Sequence, residues 1–264
     1  MDLQHQLSPK LKQLRLSGVL ATLEARHRQA LDGQWSYVEF LERLLEDEVE
    51  RRAQKQLALR IRRGSLNTTK TLEGYDFGFN PAINRQQVLH LAACDYIRRR
   101  RNLLICGPTG VGKSHLAQAL AHEAARQGFE VLFVNTHKML QHLNGGRADG
   151  TWERRLAQYL RPDLLVLDDF GLKPLTDPAP SDLYDVINER YEVGSILVTS
   201  NRAPAEWPDL FGNPLLASAG LDRLAHQAET LIITGRSYRA QGPARAGDER
   251  GLLKEEGGAP TREQ

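Results

Sequence analysis

Asn102-Leu103-Leu104-Ile105-Cys106-Gly107-Pro108-Thr109-Gly110-Val111-Gly112-Lys113-Ser114 runs from a short apolar segment into a glycine-rich turn, and the residues after it recur with helical spacing. Gly107 to Ser114 fit the pattern G-x-x-x-x-G-K-[ST], set between a predicted strand and a predicted helix as a phosphate-binding loop requires. The glycines let the backbone wrap closely around phosphates with its N–H groups turned inward, and the following helix offers the positive end of its dipole to the same anions. Gly107, Pro108, Thr109, Gly110, Val111, Gly112, Lys113 and Ser114 are therefore the candidate nucleotide-binding residues. Lys113 would meet the β- and γ-phosphates and the Ser114 hydroxyl would ligate Mg²⁺.

Outward from this loop, beyond residue 83, short apolar runs alternate with amphipathic helices, the signature of a parallel sheet with crossover helices. Five strands are expected at Asn102–Cys106, Glu130–Asn135, Leu164–Asp168, Ser195–Thr199 and Thr230–Thr234, nearly all apolar as strands buried on both faces require. Helices are expected at 114–126, 137–143, 151–160, 181–193 and 214–227.

Leu164-Leu165-Val166-Leu167-Asp168-Asp169 is an apolar strand ending in two carboxylates, which a parallel sheet would bring beside the glycine-rich loop. Asp168 can hold Mg²⁺ through its water shell, while Asp169 can orient or deprotonate an attacking water or simply cap the turn at Phe170-Gly171. Ile196-Leu197-Val198-Thr199-Ser200-Asn201 ends likewise in polar residues, and Asn201 could hydrogen-bond a γ-phosphate or the lytic water. Arg223, on the helix before the last strand, reads either as a surface charge or as a finger for a neighbouring subunit's site.

Upstream, Leu7, Leu11, Leu14, Val19, Leu20 and Leu23, then Val38, Leu41, Leu44, Leu45 and Val49, recur at three- and four-residue steps. A small all-α domain over residues 1–63 is expected, with Ser36 and Glu39 as a helix-opening capping box. Arg51, Arg52, Lys55, Arg60, Arg62 and Arg63 follow without an acidic residue among them; the run is a patch or a solvated face. Residues 64–82 are rich in turn formers and carry Tyr75, Phe77 and Phe79, so they read as a pinned linker. The α/β domain is expected over 83–241, and the Gly-, Pro- and charge-rich stretch 242–264 as a disordered tail.

Composition narrows the function further. The 35 Lys+Arg against 33 Asp+Glu leave a net charge of +2, so any affinity for nucleic acid must come from local clusters. Two cysteines cannot build a disulfide framework or a four-ligand zinc site, and the eight histidines lack metal-ligand partners in sequence. No apolar run approaches the roughly 20 residues of a membrane span. A cytoplasmic protein is the expectation, with no membrane partner.

With these four motifs in this order, the region from about Leu72 to Arg239 resembles an AAA+ ATPase of the initiator and helicase-loader branch. More closely, the chain resembles the IstB family, the ATPase helpers of insertion-sequence transposases. Leu11-Lys12-Gln13-Leu14-Arg15-Leu16-Ser17-Gly18, Tyr75-Asp76-Phe77, Gly150-Thr151-Trp152, Arg161-Pro162-Asp163 leading into the Asp168-Asp169 strand, Leu221-Asp222-Arg223-Leu224 and Gly235-Arg236-Ser237-Tyr238-Arg239 carry the likeness.

The resemblance implies a P-loop AAA+ three-layer α/β fold with a five-stranded parallel sheet, preceded by the small all-α domain. It implies an ATPase dependent on ATP and Mg²⁺ that oligomerises on double-stranded DNA with nucleotide between subunits, selects or remodels target DNA, and stimulates a cognate transposase. Arg223 becomes the trans-acting finger, and Tyr75–Asn84 would contribute to the adenine pocket. The DNA-contacting insertion would fall on His137–Tyr159, with Lys138, Arg147, Arg154 and Arg155 available for phosphates. The related reading is a DnaC-type replicative helicase loader whose N-terminal helices grip a protein.

Two departures from the wider pattern stand out. Asp169 occupies a position that is Glu in much of the superfamily, which implies slow turnover. The chain after the last strand is too short for the usual helical lid, leaving Arg236 and Arg239 as substitutes for a lid-borne arginine.

Overall fold

The computed structural model describes residues 3–238. The expected disordered tail at 242–264, and Arg239, lie outside the described residues.

Three helices open the chain: α1 (Leu3–Gln13), α2 (Ser17–Gly33) and α3 (Tyr37–Arg63). They close over a small core of Val19, Leu23 and Leu44, with Leu7, Leu11, Leu16 and Phe40 packed around it. Gly18 explains how closely α2 approaches α3, because a Cβ there would lie 2.6 Å from the Cα of Glu48. Into that contact Glu48 turns its buried carboxylate, which accepts the Gly18 and Val19 N–H groups and the Nε of Arg52. It thereby satisfies two of the donors that a helix N-terminus leaves free. Ser36 caps α3 by accepting the Glu39 N–H at 3.2 Å.

At 27 residues, α3 is about 40 Å long, and its far end leaves the helical core. There Leu57 and Ile61 pack on the core of the α/β region. The Gly64 carbonyl then accepts the Phe133 N–H at 2.9 Å. Hydrogen bonds tie the following segment to the α/β region. Asn67 bonds through its carbonyl to His122 and through its N–H to Gln118, while buried Asn80 donates to the Thr234 carbonyl at 2.6 Å.

Beyond the linker come α4 (Arg85–Ala92), α5 (Asp95–Arg98), β1 (Leu103–Cys106), α6 (Lys113–Arg126), β2 (Val131–Asn135), α7 (Thr136–Asp149), α8 (Trp152–Leu160), β3 (Leu164–Phe170), α9 (Ala179–Arg190), β4 (Ser195–Ser200), α10 (Pro214–Ala225) and β5 (Glu229–Ile232). Among the described residues the sheet has five strands, all parallel, in the order β2-β3-β4-β1-β5. Leu103, Ile105, Val166 and Leu197 face a core with α6, whereas Leu104, Leu165, Leu167 and Val198 face one with α7 and α9. Each such side chain withdrawn from water contributes about 1.5–3 kcal/mol before the entropy of ordering is subtracted.

Three differences from the sequence reading have physical causes. The border strands β2 and β5 are only half-covered, with Ile232 65% exposed, so burial on both faces holds for β1, β3 and β4 alone. Helix α7 continues past Leu143 to Asp149 because Gly145 and Gly146 are points of contact rather than breaks. A Cβ at Gly146 would meet the Trp152 backbone of α8 at 2.8 Å. Helix α4, capped by the Asn84 side chain, fills a stretch for which no helix was expected.

Candidate functional site

The chain leaves β1 at Cys106 and turns through Gly107, Gly110 and Gly112, whose φ values are +155°, +86° and +100°. That is backbone which glycine adopts freely and other residues do not. The cradle is also crowded. A Cβ at Gly107 would lie 2.0 Å from the Ile233 carbonyl oxygen and one at Gly110 2.1 Å from the Ser237 Oγ. Lys113, the first residue of α6, donates from Nζ to the Pro108 carbonyl at 2.7 Å.

Parallel topology brings the carboxyl ends of β1, β3 and β4 to the same edge. A cleft of about 650 Å³ opens there, bordered by Thr109 to His115, Asp168, Asp169 and Asn201. Asp168 is 9% exposed and accepts a hydrogen bond from Thr199. Directly after it, Asp169 takes φ +56° and the register between β3 and β4 shifts. The irregularity turns Asp169 outward between two buried neighbours, Asp168 and Phe170. Strain of this kind costs about 1–3 kcal/mol and clusters at functional sites. The Asp169 N–H donates to Thr199 Oγ1 at 3.1 Å, and its carboxylate accepts from Asn135 Nδ2 at 3.1 Å.

The other wall is aromatic. Lys70, Tyr75, Asp76, Phe79 and Tyr238 border the same cleft, with Tyr75 edge-on to His115 at 5.1 Å and Phe79 edge-on to Tyr238 at 4.8 Å. Burial pushes the Tyr75 hydroxyl up to about 12, so it remains a neutral donor. Burial, followed by the charge of Lys70, lowers the His115 imidazole and favours its neutral form. The Tyr238 N–H donates to the Gly110 carbonyl at 2.9 Å, so the segment after β5 crosses the tip of the glycine-rich turn.

These residues suit a nucleoside triphosphate with Mg²⁺. A glycine cradle that side chains would fill, one lysine, one hydroxyl and one carboxylate make a site in which substrate phosphates complete the metal's shell. Lys113, Ser114, Asp168, Asp169 and Asn201 all border the cleft. Arg223 does not. It lies over the Tyr184 ring, donates to the Ala219 carbonyl at 2.8 Å, and borders a different hollow with Asn102 and Arg99 to Arg101. Asn102 precedes β1 and the cradle follows it, so the two lie at opposite ends of that strand. Arg236 is exposed.

The four cations suggested for DNA divide into two pairs. Lys138 and Arg154 are exposed, with no side-chain hydrogen bond or ion pair among the described residues. Arg147 donates to buried Asp182, which also receives the Trp152 indole N–H. Arg155 donates to the His142 carbonyl and to Asp149. Thr199, Asn135 and Tyr238 escaped sequence reasoning as site residues. The available signal for the first two was a polar residue at or near the end of a strand. Among the described residues no three His, Cys, Asp or Glu side chains form a metal-holding group, and no helix is long and apolar enough to cross a membrane.

Fold and site together define a P-loop α/β fold of AAA+ architecture. A family model described as IstB-like ATP binding protein matches residues 9–246. The chain belongs to this family. It is 41% identical over 230 residues to an insertion-sequence ATP-binding protein of Mycobacterium tuberculosis, covering 87% of this chain and 92% of that one. It is 37% identical over 243 residues to the insertion sequence IS21 ATP-binding protein of Pseudomonas aeruginosa, covering 92% of each. Among solved structures, the replication initiator DnaA bound to AMPPCP and single-stranded DNA shares the fold, with a TM-score of 0.55 and 24% identity over 65% of this chain and 51% of that one.

Proposed function

We propose that this chain is a Mg²⁺-dependent ATPase that assembles on double-stranded DNA with ATP between its subunits and stimulates a cognate transposase. The carrying observation is the separation of the parts. Lys113, Ser114, Asp168, Asp169 and Asn201 share one cleft, while Arg223 stands at the opposite end of β1. An arginine so placed serves another subunit's phosphate more readily than its own.

In this reading Lys113 and the cradle N–H groups hold the triphosphate, with Ser114 and Asp168 as the metal-binding residues. Ser114 and Asp168 would hold Mg²⁺, which would supply positive charge to the triphosphate. Asp169, held by Thr199 and Asn135, orients a water and accepts its proton as the oxygen attacks the γ-phosphorus. The bond to the β-bridging oxygen breaks, leaving ADP and phosphate. Asn201 steadies the γ-phosphate from the side, and Arg223 of a neighbouring copy meets the developing charge.

On DNA, exposed Lys138 and Arg154 contact phosphates, while Arg147 and Arg155 brace the α7–α8 pair that carries them. Repetition along an oligomer makes a few contacts per copy sufficient, because linked binding events reinforce one another. The curated relatives' names place those proteins in insertion sequences, which supports a transposase as the partner.

Mixing tests the arrangement. Lys113→Ala and Arg223→Ala chains, each inactive alone, recover roughly a quarter of wild-type DNA-stimulated hydrolysis when combined in equal amounts, the share of interfaces that pair an intact cradle with an intact arginine under random assortment. No recovery overturns the shared site.

A further inference from the structure

Arg223 shares its hollow of about 210 Å³ with Arg99, Arg100, Arg101, Glu192 and His226. Two of the four arginines have partners. Arg100 donates to the Glu192 main-chain carbonyl at 3.0 Å, and Arg223 is held by the Ala219 carbonyl and the Tyr184 ring. Arg99 and Arg101 make no side-chain hydrogen bond, ion pair or ring contact among the described residues, and the Glu192 carboxylate joins no ion pair. A hollow walled by one sign of charge gathers the opposite sign.

Arg101 and Arg223 each stand one residue from an end of the same buried hydrogen bond. Asn102 donates from Nδ2 to the Leu224 carbonyl at 2.9 Å, while its Oδ1 accepts the Ile196 N–H at 2.8 Å. On the main chain, the Asn102 carbonyl accepts the Glu229 N–H at 2.9 Å and the Arg101 N–H donates to the Tyr96 carbonyl at 2.8 Å. Arg101 and Arg223 are both half-buried, whereas Arg99 is exposed. The backbone positions of the two half-buried arginines are thus fixed relative to one another before any ligand arrives, which lowers the cost of ordering them around one. A surface that meets Arg223 meets Arg101 as well.

Guanidinium groups favour phosphate oxygens, to which their planar fork donates. Those oxygens could belong to duplex DNA or to a nucleotide on a neighbouring copy. The hollow's place decides for the nucleotide. It lies at the end of β1 opposite the cradle, so head-to-tail stacking that carries Arg223 to a neighbour's γ-phosphate carries Arg101 to the same run of phosphates.

We infer that Arg101 is a second cation acting in trans, meeting beside Arg223 the triphosphate held by the neighbouring copy. This inference rests on the shared site of the proposed function and adds a ligand-contacting residue to it.

Mixed assemblies test it. Arg101→Ala should keep the ATP affinity of the separate chain, because its own cradle lies at the other end of β1, and lose at least about tenfold in DNA-stimulated hydrolysis. Combined in equal amounts with Lys113→Ala, it should recover roughly a quarter of wild-type turnover. Combined with Arg223→Ala, it should stay at the level of the separate variants, since every interface then receives a defective face. Unchanged circular dichroism verifies that the variant folds. Full activity of Arg101→Ala alone overturns the inference. So does failure to recover with Lys113→Ala while the Lys113→Ala and Arg223→Ala mixture does recover, a result that leaves the shared site standing. Recovery in the Arg101→Ala and Arg223→Ala mixture also overturns it, because Arg101 would then act away from that interface, as a contact to duplex phosphates would. If neither mixture containing Lys113→Ala recovers, the shared site itself falls and the inference falls with it.

Discussion

The Thr199 hydroxyl on β4 donates to the Asp168 carboxylate on β3 and accepts the N–H of Asp169, so one side chain fixes both acidic residues where the strand register slips. Thr199→Val keeps the shape and removes both bonds. Loss of such bonds costs about 1 kcal/mol each in stability. The larger expected effect is kinetic, because Asp169 loses its anchor while Lys113 and the cradle are untouched. ATP affinity should change by less than about threefold, while hydrolysis falls about tenfold or more. Nucleotide titration and steady-state turnover on one preparation check the split; equal losses in both would mean that Thr199 only supports the fold.

Gly110 combines φ +86° with a Cβ position 2.1 Å from the Ser237 Oγ. Gly110→Ala should weaken ATP binding at least about tenfold, through backbone strain and the collision together. Adding Ser237→Gly relieves the collision alone and should restore only part of the affinity. Isothermal titration of the single and double variants separates the two contributions, and full restoration would mean that strain plays no part.

Asp182 is wholly buried and accepts from Arg147 and Trp152, tying α9 to α7 and α8. Asp182→Ala strands both donors. The Arg147 side chain is 41% exposed, so water replaces part of its pairing, and the expected loss is about 1–3 kcal/mol rather than the larger cost of breaking a fully buried pair. Denaturant unfolding measures it. Combined with Arg147→Ala, the loss should be less than additive because both substitutions remove one contact.

In the helical region, hydrogen bonding from Arg26 holds the Asp47 carboxyl down at about 2 against an ordinary 3.8. A depressed folded-state value stabilises the protein above the ordinary carboxylate range and is lost as pH falls through the folded value. This contribution should therefore disappear between about pH 4 and pH 2. Asp47→Asn lacks it already at neutral pH. The variant should start with a lower urea midpoint and decline less steeply through that window, as followed by far-ultraviolet circular dichroism.

The interior of the fold was legible because β1, β3 and β4 are buried on both faces and leave uninterrupted apolar runs. The border strands were placed within a residue or two, but their exposed faces were not apparent, since Ile232 reads the same in water as in a core. The helix expected over 137–143 stopped short of Gly145-Gly146, a packing contact that only the approach of α8 reveals. Within the cleft, the glycine-rich turn and Asp168-Asp169 are local patterns. Thr199 is not, because threonine suits a strand whether or not its hydroxyl is in use. Tyr238 lies far along the chain from the Gly110 carbonyl it meets, and no local spacing encodes that meeting.

The Gly64–Phe133 hydrogen bond has a consequence for how copies of this chain can meet. A sheet border normally exposes backbone groups able to recruit a foreign strand. Here the root of α3 shields the β2 border. Even the absent Cβ matters, since one at Gly64 would sit 2.7 Å from the Val131 carbonyl oxygen. Zippering through main-chain addition is blocked along that margin, so crowded molecules must recognise one another there by side chains, whose contacts can be made and released without unravelling either partner.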